Sequence, residues 1–255
     1  MKITLYQQDI VWLDPEANYR KIESVLESHP DSDLLVLPEM FTTGFLTQPH
    51  RGGMESDEEV RRRMLDLAQR HQCALAGSVA IEAEDGTYRN RFYFVRPDGG
   101  IDYADKRHLF SYGGEHLAYT PGDRRVVAEY MGVRFLLIVC YDLRFPVWAR
   151  CLNDYDVMLC VANWPSVRQR SWEVLLQARA MENQCYMVGV NRVGVDKICD
   201  YAGGTTAVHF YGEPLETCPP QQEGCVTFEP DMEALCHFRD KFPVLADSDR
   251  FEILT

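Results

Sequence analysis

No stretch of this sequence is apolar for long enough to cross a bilayer: the longest run, Phe135 to Tyr141, falls far short of the roughly 20 residues a spanning helix needs. The first residues, Met1 to Asp9, alternate apolar and polar side chains and never build the apolar stretch of a signal peptide. Positive charge is also scarce. With 26 Lys and Arg against 39 Asp and Glu, the formal net charge is −13. Nucleic acid and anionic membrane surfaces are thereby excluded as partners, because both demand a basic patch that displaces counterions. There is no C-x-x-C pair among the nine cysteines, an odd number lying mostly in apolar stretches such as Met158-Leu159-Cys160-Val161. That usage predicts reduced thiols in a cytoplasmic protein. His71-Gln72-Cys73 and Cys236-His237 lack the spacing and the second pair of a zinc site, so no metal is expected. Finally, no linker or low-complexity segment divides the 255 residues, 46% of them hydrophobic, which predicts one domain over residues 1–255.

What is present is an alternation of strand and helix patterns, the mark of an α/β fold. Strands are predicted at Ile3–Gln7 and Leu34–Leu37, flanking a helix from Pro15 to His29 with Tyr19, Ile22 and Leu26 on one face. A helix from Asp57 to His71 carries Val60, Met64, Leu67 and Ala68 as its apolar stripe, with Ser56 as cap. Hairpins follow at Ala74–Ile81 with Tyr88–Arg96, and at Val126–Tyr130 with Val133–Val139, the second turning at Met131-Gly132. Beyond Pro146, which opens a short helix, come a strand at Val157–Ala162 and a helix at Ser171–Gln184 with Val174, Ala178, Met181 and Cys185 in line. Strands at Tyr186–Asn191, Thr205–Phe210 and Gly224–Phe228 and a helix at Asp231–Arg239 complete the reading. Asp31-Ser32-Asp33 and Asp154-Tyr155-Asp156 each precede a buried strand, either as an ordinary strand-entry turn or as the trace of two related halves.

Three segments carry chemistry. The run Phe135 to Val139 delivers Cys140 into the polar turn Tyr141-Asp142-Leu143-Arg144-Phe145-Pro146, the way a strand presents a nucleophile. Glu39 follows Leu34-Leu35-Val36-Leu37-Pro38, at the end of a buried strand, where open α/β sheets place reactive groups; a loop carboxylate capping the next segment is the alternative. Lys106, in Asp105-Lys106-Arg107-His108-Leu109-Phe110, supplies a cation. Aimed at a carbonyl oxygen it would lower the barrier to nucleophilic attack by on the order of 3 kcal/mol, although basic tripeptides alone are more often solvated loops.

Taken together, Leu37-Pro38-Glu39-Met40-Phe41, Asp105 to Phe110 and Cys140-Tyr141-Asp142-Leu143-Arg144-Phe145-Pro146 resemble, in order, the Glu-Lys-Cys motifs of the nitrilase superfamily of carbon–nitrogen hydrolases. The resemblance covers nearly the whole chain. It implies a four-layer α-β-β-α sandwich that associates through a helical face into a homodimer or larger homo-oligomer. It also implies that Glu115, in Gly113-Gly114-Glu115-His116-Leu117, supports the lysine. Val161-Ala162-Asn163-Trp164-Pro165 and Ala178 to Gln184 look like the ω-amidase branch, whose substrates are 2-oxoglutaramate and related half-amides. Many relatives carry a glutamate after Phe-Pro where this chain has Val147-Trp148, and nitrilases proper read Cys-Trp-Glu at the nucleophile, so nitrile hydrolysis is the weaker expectation.

The expected mechanism uses Glu39 as general base and acid, Cys140 as nucleophile, and Lys106 with the backbone N–H of Tyr141 as oxyanion donors, and it calls for no cofactor. Phe41, Phe45 and Trp164 are candidates to pack on a short small-molecule amide, and Arg168 to bind its carboxylate; Arg144 is expected in a structural ion pair with a carboxylate. Alternatives are a Cys140–His108 thiol–imidazole pair, an N-carbamoyl-amine amidohydrolase or nitrilase on the same triad, and a non-catalytic protein that keeps the fold.

Overall fold

The computed structural model describes residues 1–49 and 54–253. The first half of the chain runs β1 (Ile3–Gln7), α1 (Pro15–Ser28), β2 (Leu34–Val36), the two-residue β3 (Glu55–Ser56), α2 (Asp57–His71), β4 (Ala74–Glu82), β5 (Tyr88–Val95) and β6 (Ile101–Asp105). The second half runs β7 (Val127–Tyr130), β8 (Val133–Val139), α3 (Pro146–Ala149), β9 (Val157–Ala162), α4 (Gln169–Asn183) and β10 (Tyr186–Asn191). A hairpin of β11 (Val193–Val195) and β12 (Asp200–Ala202) comes next, then β13 (Thr206–Val208), β14 (Pro214–Thr217), β15 (Gly224–Phe228) and α5 (Met232–Lys241). Local chemistry sets the helix starts. Asp14 accepts the Ala17 N–H at 3.0 Å ahead of Pro15, and Ser56 accepts the Glu59 N–H at 3.2 Å. In α2, three acidic residues in the first turn and Arg70 and His71 in the last complement the helix dipole.

Two large sheets form beside the β11–β12 pair, in the orders β15-β1-β2-β4-β5-β6, with β3 alongside β4, and β14-β13-β10-β9-β8-β7. Each has three parallel strands at its centre: β1, β2 and β4 in one, β8, β9 and β10 in the other. The two Asp-x-Asp turns lead into the middle strand of each trio and do the same work in both. Asp33 accepts the N–H of Lys2 at 2.7 Å and Asp156 that of Arg134 at 3.2 Å, each pinning the start of the preceding parallel strand. The echo therefore places the same turn contact at the same point of both sheets.

The sheets meet face to face across one hydrophobic cluster in which Ile3, Leu5, Val36 and Phe94 join Phe135, Leu137, Leu159 and Val161; Phe94 and Phe135 touch directly, ring centroids 5.4 Å apart. Tyr19, Ile22 and Leu26 of α1 and Val60, Met64 and Leu67 of α2 cover the other face of the first sheet against Leu35, Leu75 and Tyr93. Helix α4 lies on the second sheet so closely that a Cβ on Gly189 of β10 would stand 2.6 Å from Leu176 and 2.7 Å from Trp172. The result is the four-layer α-β-β-α sandwich.

The stripe expected on α4 is wrong. The helix buries Trp172, Leu176, Arg179, Ala180 and Asn183, whereas Val174 and Met181 are 41% and 50% exposed and Cys185 lies past its end. Apolar residues occupy both faces, and the buried one holds polar groups bonded in place: Arg179 donates to Leu143 O at 2.7 Å, and Asn183 Oδ1 accepts the Cys151 N–H at 2.9 Å. The strand expected over Thr205–Phe210 is confined to β13, and the edge strands β6 and β14 and the hairpin β11–β12 are additions to the sequence reading.

Candidate active site

Glu39 and Cys140 both leave the carboxyl ends of parallel strands, Glu39 three residues past β2 and Cys140 immediately past β8. The chain turns sharply at each point. Met40 has φ 46° and Cys140 φ 47°, the left-handed region that non-glycine residues enter at a cost. Lys106 directly follows β6 and Glu115 opens a 3₁₀ turn at Glu115–Leu117. The fold thus draws Glu39, Lys106 and Glu115 from the first half and Cys140 from the second.

The side chains of Lys106, Glu39 and Glu115 are wholly buried. Lys106 Nζ donates to Glu39 Oε1 at 2.8 Å and to both oxygens of Glu115, at 2.8 and 3.1 Å. Asn90 Nδ2 bridges the carboxylates, 2.8 Å from Glu39 Oε1 and 3.0 Å from Glu115 Oε1. Phe110 N–H donates to Glu115 Oε2 at 2.6 Å. From the second sheet, Asn163 donates its N–H to Glu39 Oε2 at 2.8 Å and its side-chain amide to Glu39 O at 2.6 Å. Neither Asn90 nor Asn163 was assigned a role from sequence; a carboxamide inside a strand and one at a strand end carry no spacing signal.

Burial opposes charge on Lys106, but the carboxylates of Glu115 and Glu39 outweigh it and hold the ammonium well above its ordinary range. Burial pushes the Cys140 thiol up as well, and the Glu39 carboxylate adds to this while Lys106 works against it. The resting site is therefore a neutral thiol beside a charged lysine, so any attack by this thiol would require a base.

Cys140, 9% exposed, is where the cluster meets a cavity of about 210 Å³. Phe45, Phe110, Tyr141 and Trp164 form its apolar walls, with Arg144 and Arg168 as cations. Three expectations need correction or refinement. Phe41 is not in the cavity; it is fully buried and packs edge-on against Tyr19 at 5.9 Å, because the turn at Met40 sends it to the helix side of the sheet. Phe45 takes the wall position, with Lys106 Nζ 5.5 Å from its ring centre. Arg144 has no carboxylate partner among the described residues; it donates to Ser171 Oγ at 3.0 Å and lies 4.8 Å over the Trp164 ring, on the cavity wall. Arg168 lies 5.4 Å from the ring centres of both Phe110 and Tyr112. His108 is turned away from the cavity toward Asp142 and is no partner for the thiol. Val147 is 55% exposed, and Trp148 is buried with its ring perpendicular to that of His108.

A family model described as carbon–nitrogen hydrolase matches residues 2–239. The chain is 46% identical to the omega-amidase YafV of Escherichia coli K12 over 99% of its own length and 98% of that protein. It is 32% identical to the 2-oxoglutaramate amidase of Bacillus subtilis 168, with 96% of each chain covered. Among solved structures it is similar to XC1258 from Xanthomonas campestris, a CN-hydrolase superfamily protein with an arsenic adduct in its active site: TM-score 0.93, 39% identity, 99% and 98% coverage.

Proposed function

The chain belongs to the carbon–nitrogen hydrolase family, and from that premise we propose that it is an ω-amidase, hydrolysing the terminal amide of small half-amides of the 2-oxoglutaramate or 2-oxosuccinamate type to the acid and ammonia. The observation that carries this reading is the cavity itself. It is small, apolar on most sides and ends on Cys140; its two guanidiniums, Arg144 and Arg168, have no carboxylate partner among the described residues, while the carboxylate on its wall, Asp196, is taken up by the Tyr201 hydroxyl and the N–H groups of Ile198 and Cys199. A short chain with an amide at one end and a carboxylate at the other fits that distribution of charge.

In the proposed reaction Glu39 takes the thiol proton as Cys140 attacks the amide carbon. The oxyanion is stabilised by Lys106 and by the N–H of Tyr141, which lies in the first turn of the 3₁₀ segment Cys140–Arg144. Collapse of the tetrahedral adduct breaks the C–N bond, and the proton on Glu39 goes to the departing nitrogen, leaving a thioester. Glu39 then deprotonates a water that attacks the thioester, and the thiol leaves with that proton. Glu115 keeps Lys106 charged and in place throughout.

The test is ammonia release from 2-oxoglutaramate and succinamate beside a simple nitrile and an N-carbamoyl amine, with wild type and Cys140→Ala. Turnover of the half-amides that disappears in the variant supports the proposal; turnover confined to the nitrile or the N-carbamoyl amine replaces it. Arg168→Ala and Arg144→Ala are each expected to raise KM for an anionic half-amide by about 10- to 100-fold, the worth of a charge-assisted hydrogen bond. KM for an uncharged amide of the same length should not move. An arginine whose loss affects both substrates equally does not bind the carboxylate.

We infer further that the enzyme works in the cytoplasm as a homodimer or larger homo-oligomer. All nine cysteines are free, and α4 exposes two apolar side chains, Val174 and Met181, beside the charged Arg170 and Glu173, a mixed surface suited to self-association.

A further inference from the structure

The chemistry proposed above gives His108 no work, although it stands two residues past Lys106. Its Nδ1 lies 2.8 Å from Asp142 Oδ1, and its ring stacks on Phe145, centroids 3.7 Å apart and planes 6° from parallel. Asp142 is only 2% exposed and its carboxylate is engaged on both oxygens. Oδ1 also accepts the backbone N–H of His108 at 2.8 Å, and Oδ2 accepts the N–H of Val139 at 3.0 Å. Among the described residues, every hydrogen bond joining segment 105–110 to turn 139–145 ends on this one carboxylate.

We propose that Asp142 and His108 are positioning residues that set the separation between the Lys106 ammonium and the Cys140 thiol. The inference rests on the roles assigned to those two residues. Among the described residues Lys106 is otherwise anchored only within its own half: its N–H donates to Asn90 O at 2.9 Å and its carbonyl accepts from Gly122 at 2.9 Å. Cys140 belongs to the other sheet. A carboxylate that accepts from the lysine segment on one oxygen and from the residue before the nucleophile on the other is a strut between the two sheets at the reacting centre. The same bond to Val139 helps hold the left-handed turn at Cys140, a conformation that persists only where its surroundings over-determine it. The stacked imidazole stiffens the strut from the lysine side.

The experiment is steady-state kinetics with Asp142→Asn, His108→Phe and the double variant, with Cys140→Ala and thermal unfolding alongside. Asn keeps the shape but turns an N–H group toward a donor; Phe keeps the stack and the backbone bonds but loses the ring nitrogen. For Asp142→Asn we expect kcat to fall on the order of a hundredfold, as misplacement near an ångström does, with KM within about twofold. His108→Phe should lose about tenfold in kcat, and the double variant should be no worse than Asp142→Asn, because both residues act through one carboxylate. An unchanged kcat in folded Asp142→Asn, with Cys140→Ala silent, would overturn the strut. Losses that simply add would overturn the joint action. Activity in Cys140→Ala would instead remove the catalytic reading beneath it. If Asp142→Asn does not fold, His108→Phe decides alone: a drop in kcat at constant KM and melting temperature supports the strut, and normal kinetics reject it.

Discussion

Turnover should fall by about 10³- to 10⁴-fold in Glu39→Gln, while the thiol that Glu39 serves becomes easier to alkylate. The two effects move in opposite directions for one reason. After burial, the Glu39 carboxylate is the largest influence holding the Cys140 proton in place, and Lys106 opposes it. Glutamine removes the negative charge and leaves the lysine, so more thiolate is present at a given pH and iodoacetamide, which needs only thiolate, reacts faster between pH 7 and 9. Amide hydrolysis needs more than thiolate: a proton must reach the departing nitrogen and a water must be deprotonated, and glutamine does neither. Stability should hold, because Lys106 keeps Glu115 at 2.8 Å and the cluster becomes one ammonium with one carboxylate. Near-normal turnover would reject Glu39 as the base. Turnover and alkylation falling together would give it a structural role.

Lys106→Met should damage both the reaction and the fold. Glu39 and Glu115 would remain wholly buried with no counter-charge, and breaking a buried ion pair by deleting one partner costs about 3–5 kcal/mol. For a domain of this size that corresponds to a drop in melting temperature of roughly 10 °C. Removing the oxyanion donor should lower kcat by on the order of 10²- to 10³-fold in whatever remains folded. The alkylation rate of Cys140 should fall, opposite to the change in Glu39→Gln, since the lysine favours the thiolate. The pH dependence follows from the direction of the shift. The Lys106 ammonium is held well above its ordinary value, so its contribution is complete below the usual lysine range and is lost only as pH rises through the folded value. The gap in melting temperature between wild type and variant is therefore expected to stay constant from pH 7 to 9. A melting temperature within about 2 °C of wild type would mean the two carboxylates find other partners.

Most strands and helices could be read from periodicity, and the turn at Cys140 was visible because an apolar run ending in a thiol is a pattern of residue types. The failures share a cause: they depend on which way a side chain points. Phe41 and Phe45 are equally plausible wall residues until Met40 is known to take a left-handed φ, and nothing in a methionine announces that. Arg144 was expected in an ion pair with a carboxylate, but the nearest one in sequence, Asp142, is committed to His108 and Val139. On α4 the apolar spacing was real and faced outward, because Arg179 and Asn183 are buried on bonds to distant backbone. Asn90 and Asn163 act through contacts 51 and 124 residues away in the chain, a separation no local pattern encodes.

The two amide bonds from Asn163 to Glu39 have a mechanical meaning. They run from the end of one sheet to the end of the other, and so do the bonds on Asp142. If Glu39, Lys106 and Cys140 act as proposed, their spacing is a gauge of how the two halves are registered. A slip of an ångström between the sheets would leave every strand and helix intact and the apolar interface nearly as favourable, since burial has no direction, yet it would separate base from thiol. Activity is the property of this molecule that reports register, where secondary structure and compactness report only that the halves have met.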